Sequence, residues 1–411
     1  MAGPGIRYFE LARVIGRRHN VVLAAPTGSA APGNGPEPVV YDPERPRSIR
    51  RLFAACDVVV APPLAPDLAA FAAGGGRRWI VDLYNPEPFE GLEQQRGRPR
   101  LERKVRDLTR IDRIAFAARR GSAFVCATER QRDMWLGFLA ASGRLDSDLY
   151  EHDRELRSLI DIVPFGLPGD LPRRPSDPVA RGTIVPDAAR IMVWNGGIWD
   201  WLDPHTVLNA LAKLRAADPR WVLVFSGTGR PSHRPAMEMS SRVVAAAGDL
   251  GLTAAGAVQF MDEWTPYGER GGLLLEADLA VSAHEATAES RFAHRARLLD
   301  CLWAGLPILC TAGDEWALSV ASEGLGEVVP PRDPAALAAA GERIVERGRA
   351  GYAAALAAAA ATRTWDRAAA PLLRLIETSV PRRSSSLDPV SVGRALRYSA
   401  AAAVRRATGL L

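Results

Sequence analysis

Lysine is nearly absent from this chain of 411 residues. Lys104 and Lys213 are its two lysines, so the rest of the 52 basic residues are arginines. Together with the many alanines, this shortage indicates a bias in coding composition, and a high arginine count alone therefore says little about binding partners.

The net positive charge is confined to the end of the chain. Residues 382–411 hold six arginines (382, 383, 394, 397, 405, 406) and one acid, Asp388, which gives this segment the same +5 charge as the whole chain. Residues 1–381 therefore carry no net charge. The sequence pI near 9.3 therefore does not indicate a nucleic-acid partner.

Cysteines and long apolar runs are also scarce. The four cysteines, Cys56, Cys126, Cys301 and Cys310, form no C-x-x-C pair, which excludes a disulfide scaffold or a zinc knuckle and predicts reduced core thiols. No run reaches the roughly 18 apolar residues of a membrane span. The opening "MAGPGIRYFE" resembles no signal peptide. We expect a cytoplasmic protein.

Short apolar runs alternate with longer helical patterns along the chain. This alternation predicts an α/β protein with two doubly wound, Rossmann-like domains that face each other across a cleft. The predicted strands are "NVVLAAP", "DVVVAPP", "RWIVDLY", "SAFVCAT", "DIVPFG", "IMVWNGG", "WVLVFSG", "VQFMDEW", "DLAVSAH", "LPILCTA" and "GEVVPP". The predicted segments are an N-terminal domain (1–167), a linker (168–189), a C-terminal domain (190–365), a crossover helix (366–380) and a basic tail (381–411).

The first residues predict a helix with no strand before it. Gly3 and Gly5 flank a proline and lead into the apolar stripe of this helix, so their backbone is suited to approach a ligand at a helix N-terminus. Either the true start lies upstream, or the N-terminal domain has lost its first strand. A merely flexible terminus is the alternative.

The turn Asn195-Gly196-Gly197 follows a strand and precedes a helix. Asp203 is expected as the N-cap of that helix, with Pro204 at its first position, which would leave a nest of the size of a phosphate. A second turn of this kind, Ser226-Gly227-Thr228-Gly229, lacks the last glycine of a dinucleotide fingerprint, so we expect no nicotinamide cofactor.

Two tryptophans, Trp199 and Trp201, bracket Asp200 in the loop after the first turn. Exposed rings are suited to stack on a sugar or a base. Packing of both rings between the domains is the alternative.

"ESRFAHRARLLDCLWAGLPIL" (289–309) predicts a helix from about Phe292 to Ala304. Arginines at the start of a helix oppose the helix dipole, which indicates an anion nearby. Arg295 and Arg297 are suited to bind a diphosphate, and Asp300 to accept hydrogen bonds from a ribose. The alternative is a solvated basic face with Asp300 paired to Arg297 or Arg295.

These segments resemble the retaining GT-B glycosyltransferases of family 4. "LLDCLWAGLPIL" is similar to the family's "LEAMAAGLPVV", and "GPGIRYFELARVIGRRHNVVLAAP", "IVPFGLP", "WVLVFSGTG" and "VQFMDEWTPYGERGGLLLEADLAVSAH" resemble other family segments in the same order, over roughly residues 2–345. The resemblance implies two Rossmann-like domains, with a nucleoside-diphosphate sugar bound by the C-terminal domain and an acceptor by the N-terminal one.

This sequence departs from the family pattern at two places. Asp300 stands at the second of the family's paired glutamates, but Phe292 stands at the first, and Glu289 is the nearest carboxylate able to replace it. The cations that follow the family's first C-terminal strand are absent from "NGGIWDWLDP", so Arg295 and Arg297 would have to supply charge to the diphosphate. We expect a divergent subgroup, serving surface-polysaccharide or specialised-metabolite synthesis.

The loop "VDLYNPEPFE" is the best candidate for acceptor contacts. Asp82 ends a strand and is a candidate orienting or catalytic carboxylate, and Tyr84 and Asn85 follow it in a proline-restrained loop. A loop-closing Asx turn is the structural alternative for Asp82.

The resemblance and the turns together predict a set of site residues. The catalytic candidates are Glu289, Asp82 and Arg295. The donor-binding candidates are Gly196, Gly197, Trp199, Asp200, Trp201, Ser226, Gly227, Phe260, Met261, His284, Arg295, Arg297, Leu298 and Asp300. The acceptor and phosphate loops comprise Gly3, Gly5, Arg7, Tyr8, Tyr84 and Asn85. No strand ends in D-x-D, so we expect no metal and no cofactor besides the donor.

Two other functions fit the same residues. One is an epimerase or another GT-B enzyme that forms no glycosidic bond. The other is a silent binder of sugar nucleotides, which Phe292 favours.

In the tail, Arg394, Arg397 and Arg405 share a side of a predicted helix, which would give weak contact with an anionic membrane surface. Disorder is the alternative.

Overall fold

The computed structural model describes residues 3–29, 35–43, 45–227, 238–261, 265–378 and 389–407. The chain divides into two compact units. One consists of Ala2–Pro164 with Ala368–Leu411, and the other of Phe165–Arg367.

Several residues discussed above, Thr228, Gly229, Arg382, Arg383 and Asp388, lie outside the described residues. Among the helices that the structure does describe, none is long and apolar enough to cross a lipid bilayer.

The Ala2–Pro164 part is built on parallel strands. Strands β1 (Ala24–Pro26) and β2 (Val39–Tyr41) form a separate parallel pair. The next strands along the chain are β3 (Val58–Ala61), β4 (Arg78–Asp82), β5 (Ala123–Cys126) and β6 (Ile160–Ile162). They lie in that order in one parallel sheet. Every residue of β5 is buried, as expected for a strand covered on both faces.

Helices connect these strands. They are α1 (Gly3–Ile15), α2 (Pro46–Ala54), α3 (Pro66–Ala72), α4 (Glu87–Glu93), α5 (Arg100–Arg120), α6 (Glu129–Ala141) and α7 (Ser147–His152). Helix α1 begins at the first residue that the structure describes. The side chain of Thr128 starts α6 by accepting a hydrogen bond from the Gln131 amide.

The Phe165–Arg367 unit contains a larger parallel sheet. Its strands are β7 (Arg190–Gly197), β8 (Trp221–Gly227), β9 (Val258–Phe260), β10 (Leu279–Ser282), β11 (Ile308–Thr311) and β12 (Gly326–Val329). The order across the sheet is β12-β11-β10-β7-β8-β9. The strand order therefore reverses between β7 and β10, and the carboxyl ends of these two strands flank a topological switch point, where open α/β sheets bind ligands.

The helices of this unit cover the sheet. They are α8 (Pro204–Ala217), α9 (Glu238–Asp249), α10 (Gly271–Glu276), α11 (Ala288–Phe292), α12 (Arg297–Trp303), α13 (Glu315–Glu323), α14 (Pro334–Arg347) and α15 (Ala353–Thr362). A 3-10 helix spans Arg349–Tyr352. Asp203 caps α8 through the Thr206 amide and Pro204 occupies its first turn, which confirms that prediction.

One carboxylate of this unit binds several backbone amides of the predicted linker segment. Glu276, at the end of α10, accepts hydrogen bonds from the backbone amides of Val179, Ala180 and Arg181 at 2.6, 2.9 and 2.8 Å. Burial raises the pKa of Glu276, but these bonds and the nearby Arg181 charge lower it by more, so the net pKa lies below its ordinary value.

The chain ends in α16 (Trp365–Glu377) and α17 (Pro389–Ala407). Helix α17 packs on α5, where Asp112 is 1% exposed. Arg394 Nη1 lies 3.2 Å from Asp112 Oδ1, and Arg397 Nε lies 2.6 Å from Oδ2. These two arginines therefore neutralise a buried carboxylate, whereas Leu396 is 68% exposed, and the contact of the tail with a membrane stays a prediction.

Each predicted apolar run contains a strand, and β2 is the strand that the sequence did not predict. Its three residues include Val39 and Val40, which are 45% and 51% exposed.

Each of the two units contains one of the two lysines. Lys104 lies on α5 and Lys213 on α8, and both are exposed.

The helix predicted from Phe292 to Ala304 is wrong as a single element. Helix α11 ends at Phe292 and α12 begins at Arg297. Thr287 and Ser290 form a capping box that starts α11 early. Arg295 lies in the break and turns toward Glu289 instead of solvent.

Arg349 ties two helix ends together and should contribute strongly to stability. Its guanidinium donates to the carbonyl groups of Leu274, Leu275 and Ala277 at 3.1, 3.0 and 2.9 Å, and also to that of Ala304. These are the carbonyls that a helix leaves unsatisfied at its end.

We expect Arg349→Ala to lower the free energy of unfolding by about 2 kcal/mol or more, because several carbonyls lose a charged donor. Urea unfolding measures the loss. The matched control is Arg343→Ala, which removes an exposed pair with Glu327 and should change stability by less than about 1 kcal/mol. Equal effects of the two substitutions would contradict this role.

Candidate functional site

The predicted turns after β7 and β8 meet at the carboxyl edge of the larger sheet. Gly196 has a φ of +91°, and its amide donates to Ser226 Oγ at 3.1 Å. A Cβ on Gly227 would lie 2.4 Å from the backbone of Gly196, so only glycine fits at residue 227. The two strands therefore bring bare backbone together at this edge, which favours the close approach of a ligand.

Arg297 joins this edge from the first residue of α12. Its Nη1 donates to the Gly197 carbonyl at 2.8 Å, and its own carbonyl accepts from Asn195 Nδ2 at 2.9 Å. Burial and, secondarily, the Arg295 charge lower its pKa to about 9, so the guanidinium is still charged at neutral pH. The structure thus brings Arg297 and the Asn-Gly-Gly turn together.

Asp300 lies one turn further along α12 and belongs to the same cluster. Its Oδ1 accepts a hydrogen bond from Arg270 Nε at 2.9 Å, and the Asn195 side chain also bonds its carboxylate. Pairing of Asp300 with Arg297 or Arg295, the alternative considered above, is therefore wrong, because Arg270 is the partner. The sequence did not single out Arg270.

Arg295 is buried in an ion pair. It is 7% exposed and Glu289 is 1% exposed, and Arg295 Nη1 and Nη2 donate to the two carboxylate oxygens of Glu289 at 2.9 and 2.7 Å. Arg295 Nε also lies 3.7 Å from Asp314 Oδ2. A diphosphate would have to compete with two carboxylates for this guanidinium, whereas the Arg297 guanidinium bonds the neutral Gly197 carbonyl.

His284 lies next to this ion pair. Its Nδ1 is 2.7 Å from Thr311 Oγ1, and its Nε2 is 3.7 Å from Asp314 Oδ2. Burial, and then the Arg295 charge, lower its pKa to about 3, which keeps the ring neutral at physiological pH. Gly313, with a φ of +134°, leaves room beside Nε2, because a Cβ there would lie 3.5 Å from it.

The aromatic candidates pack on neighbouring residues. Trp199 and Trp201 stack with ring centroids 5.5 Å apart, and Trp201 is 9% exposed. Asp200 Oδ1 accepts from the amide of Met239 at the start of α9. Trp199 is half-buried and is the ring of this pair that is more open to a ligand.

The remaining donor candidates are mostly structural in their observed contacts. Phe260 stacks on Phe225 with centroids 5.1 Å apart, and the Met261 amide donates to the Phe225 carbonyl at 2.9 Å. The Leu298 side chain is 1% exposed and lies in the core, so it offers a ligand no side-chain contact.

In the Ala2–Pro164 unit, Asp82 is held by Arg7. Arg7 Nε and Nη2 donate to the two carboxylate oxygens at 2.6 and 3.0 Å, and Nη1 donates to the Pro164 carbonyl at 3.1 Å. Both side chains are fully buried. The bonds of Asp82 are thus to a guanidinium and do not form the Asx turn considered as its alternative.

The other predicted residues of this unit surround that pair. The Arg7 guanidinium lies 4.9 Å from the Tyr84 ring centroid, and Asn85 bonds the Tyr84 hydroxyl. Burial, followed by the Asp82 charge, raises the pKa of Tyr8 and of Tyr84 well above the ordinary value. Gly3 lies at the exposed start of α1, and Gly5 lies two residues further along.

The fold is similar to solved glycosyltransferase structures. Sucrose-phosphate synthase from Thermosynechococcus elongatus has a TM-score of 0.61 at 15% identity, over 91% of this chain and 93% of that one. WaaG, a glycosyltransferase involved in lipopolysaccharide biosynthesis, has a TM-score of 0.56 at 16% identity, over 90% and 95%. Anabaena HepE, in complex with UDP and glucose, has a TM-score of 0.57 at 15% identity, over 81% of each chain.

The chain has the GT-B fold. This confirms the predicted α/β class and architecture of Rossmann-like domains. No family model matches the sequence, and no curated protein matches it. Membership of family 4 stays a prediction.

The Glu289–Arg295 pair yields a test of its structural role. Either Arg295→Met or Glu289→Leu alone leaves a buried charge without its partner, and we expect each to lower the free energy of unfolding by about 3 kcal/mol or more. The double variant should lose much less than the sum, because no orphaned charge remains on the pair.

Urea unfolding of the single and double variants measures this coupling. The control is the same cycle on the exposed pair Arg343–Glu327, with an expected coupling below about 1 kcal/mol. Additive losses at Glu289 and Arg295 would show that the pair is not what holds this segment.

Proposed function

We propose that this protein is a glycosyltransferase that transfers a sugar from a nucleoside-diphosphate sugar to an acceptor. The observation that carries the proposal is the cluster formed by the Asn195–Gly197 turn, Arg297 and Asp300 at the carboxyl end of β7. It combines a fixed cation, bare backbone and a carboxylate, which are the groups that a diphosphate and a ribose require. The GT-B fold and the UDP and glucose bound to HepE support this assignment.

The donor is proposed to bind to the Phe165–Arg367 unit. In the proposed transfer the leaving nucleoside diphosphate gains negative charge, and donors that are already oriented stabilise it without reorganisation. Arg297 is held by the Gly197 carbonyl and is suited to this task. Arg295 is committed to Glu289, so we assign it to the support of the segment and Arg297 to the diphosphate.

Further properties are proposed on the resemblance to family 4. These are retention of anomeric configuration, independence of metal, an acceptor bound by the Ala2–Pro164 unit, and a role in surface-polysaccharide or specialised-metabolite synthesis. In the described residues, no three His, Cys, Asp or Glu side chains form a group suited to a metal ion. A cytoplasmic location and a membrane contact of residues 382–411 stay predictions.

A silent binder of sugar nucleotides is the second candidate. The observation that favours it is the burial of Glu289, the carboxylate expected to replace the family's missing glutamate, in its pair with Arg295. Such a protein would bind the sugar nucleotide without cleaving it to nucleoside diphosphate. Calorimetry of donor binding, combined with an assay for the nucleoside diphosphate formed, therefore separates the two functions.

The test of donor binding is a thermal-shift panel of UDP-, GDP- and dTDP-sugars, followed by calorimetry with the sugar nucleotide that stabilises the protein. We expect Arg297→Gln to weaken its binding about tenfold or more, because a charged hydrogen bond to phosphate is lost. Arg220→Gln, which removes an exposed partner of Asp218, is the control and should bind like the wild type. A panel without any stabilising sugar nucleotide would refute the proposal.

Variants of Arg295 are unsuitable for that test. From the sequence alone, which assigns both Arg295 and Arg297 to the diphosphate, their joint removal should abolish transfer and leave the fold intact. Since Arg295 neutralises buried Glu289, its loss is now expected to destabilise the unit, and Arg297 alone tests the chemistry.

A further inference from the structure

Arg270 is a cation in contact with two aromatic rings beside the proposed donor site. Its guanidinium carbon lies 3.8 Å from the centroid of the Tyr267 ring and 4.3 Å from that of the Trp303 ring. Trp303 is fixed in turn, because its Nε1 donates to the Asp170 carbonyl at 2.6 Å. Contact with two aromatic rings restricts the guanidinium, while its N–H groups still form hydrogen bonds in the guanidinium plane.

The edge of this guanidinium meets Asp300. Nη1 donates to the Tyr267 carbonyl at 2.5 Å, and Nε donates to Asp300 Oδ1 at 2.9 Å. The Arg270 side chain is 13% exposed and that of Asp300 is 24% exposed. The carboxylate is therefore held on one side and still open to a ligand, since two carboxylate oxygens accept about four hydrogen bonds.

We infer that Arg270 is a positioning residue for the donor: it orients Asp300 so that this carboxylate accepts hydrogen bonds from the ribose hydroxyls of a nucleoside diphosphate. The inference rests on the proposed function. Arg270 itself touches no part of the ligand in this assignment and acts through Asp300.

The charge of Arg270 also affects the ionisation of Asp300. Burial raises the pKa of Asp300 above its ordinary value, and the charge and hydrogen bond of Arg270, with the bond from Asn195, oppose this rise. An ionised carboxylate accepts stronger hydrogen bonds than a protonated one. Without Arg270 we expect the pKa of Asp300 to rise further, so that the carboxylate becomes protonated at a higher pH.

The elements packed on α12 bring few other charged groups to Asp300 in the part of the chain that the structure describes. Helix α12 itself carries Arg297 and Cys301, and burial raises the pKa of the Cys301 thiol so that it stays neutral. Helix α10 ends in Glu276, which backbone amides bind, and Arg349 bonds the carbonyl at the end of α12. Helix α15 and strand β10 carry no titratable side chain. Strand β7 carries one, Arg190 at its first residue, which pairs with Asp218 at 3.1 Å.

The experiment compares UDP with 2′,3′-dideoxy-UDP, which lacks both ribose hydroxyls. Calorimetry gives their affinities for the full chain and for Arg270→Gln, Arg270→Lys and the control Arg220→Gln, from mildly acidic to mildly alkaline pH. GDP and its dideoxy analogue are run in parallel. Urea unfolding of each variant checks that it is folded.

We expect Arg270→Gln to weaken UDP binding about tenfold at neutral pH and to leave dideoxy-UDP binding nearly unchanged. The acid limb of the UDP profile should move to higher pH in this variant. Arg270→Lys keeps the charge but not the planar fork, so it should restore the acid limb and only part of the affinity. Arg220→Gln should match the wild type.

Equal losses for UDP and dideoxy-UDP, with an unmoved acid limb, would overturn the inference, because Arg270 would then support the fold alone. If Arg270→Gln fails to fold, the comparison of the two nucleotides on Arg270→Lys decides in the same way. A wild-type protein that binds none of UDP, GDP and dTDP would instead contradict the proposed function, which keeps the two failures distinct. Binding of dTDP alone would contradict the inference and not the proposed function, because the sugar of dTDP lacks the 2′-hydroxyl.

Discussion

Burying a guanidinium or a carboxylate without a partner of opposite charge is strongly destabilising. The buried pair of Arg295 and Glu289 therefore sets the shape of the proposed donor site. To reach Glu289, Arg295 turns inward, which ends one short helix and starts another at Arg297. That new start places Arg297 on the Gly197 carbonyl and Asp300 one turn later beside Asn195. In the other unit Arg7 and Asp82 make a pair of the same kind.

The sequence predicted the strands well because continuous apolar runs mark strands that are buried on both faces. It missed β2, because the valines of this strand are exposed. It also predicted α11 and α12 as one helix, because the helical periodicity continues through residues 293–296 and assigns Arg295 to the surface. The partners in the site were harder to predict. Arg270 and Asp300 lie 30 positions apart and Arg7 and Asp82 lie 75 apart, and no local pattern links them.

The proposed donor site obtains its positive charge from a distant part of the chain. At 15% to 16% identity the chain keeps the architecture of its structural neighbours, yet no cation follows β7. A guanidinium from the connection between β10 and β11 lies there instead, fixed by a backbone carbonyl. Positive charge at the end of a strand can thus come from another part of the chain, so function has to be argued from the site itself.

The near absence of lysine has a practical consequence. Lys104 on α5 and Lys213 on α8 give each unit a single exposed side-chain amine. Besides the N-terminal α-amine, succinimidyl-ester dyes or a bifunctional amine cross-linker therefore meet one lysine in each unit of the unaltered protein. Energy transfer between two such labels would follow the separation of the units in solution as ligands are added, without a single engineered residue.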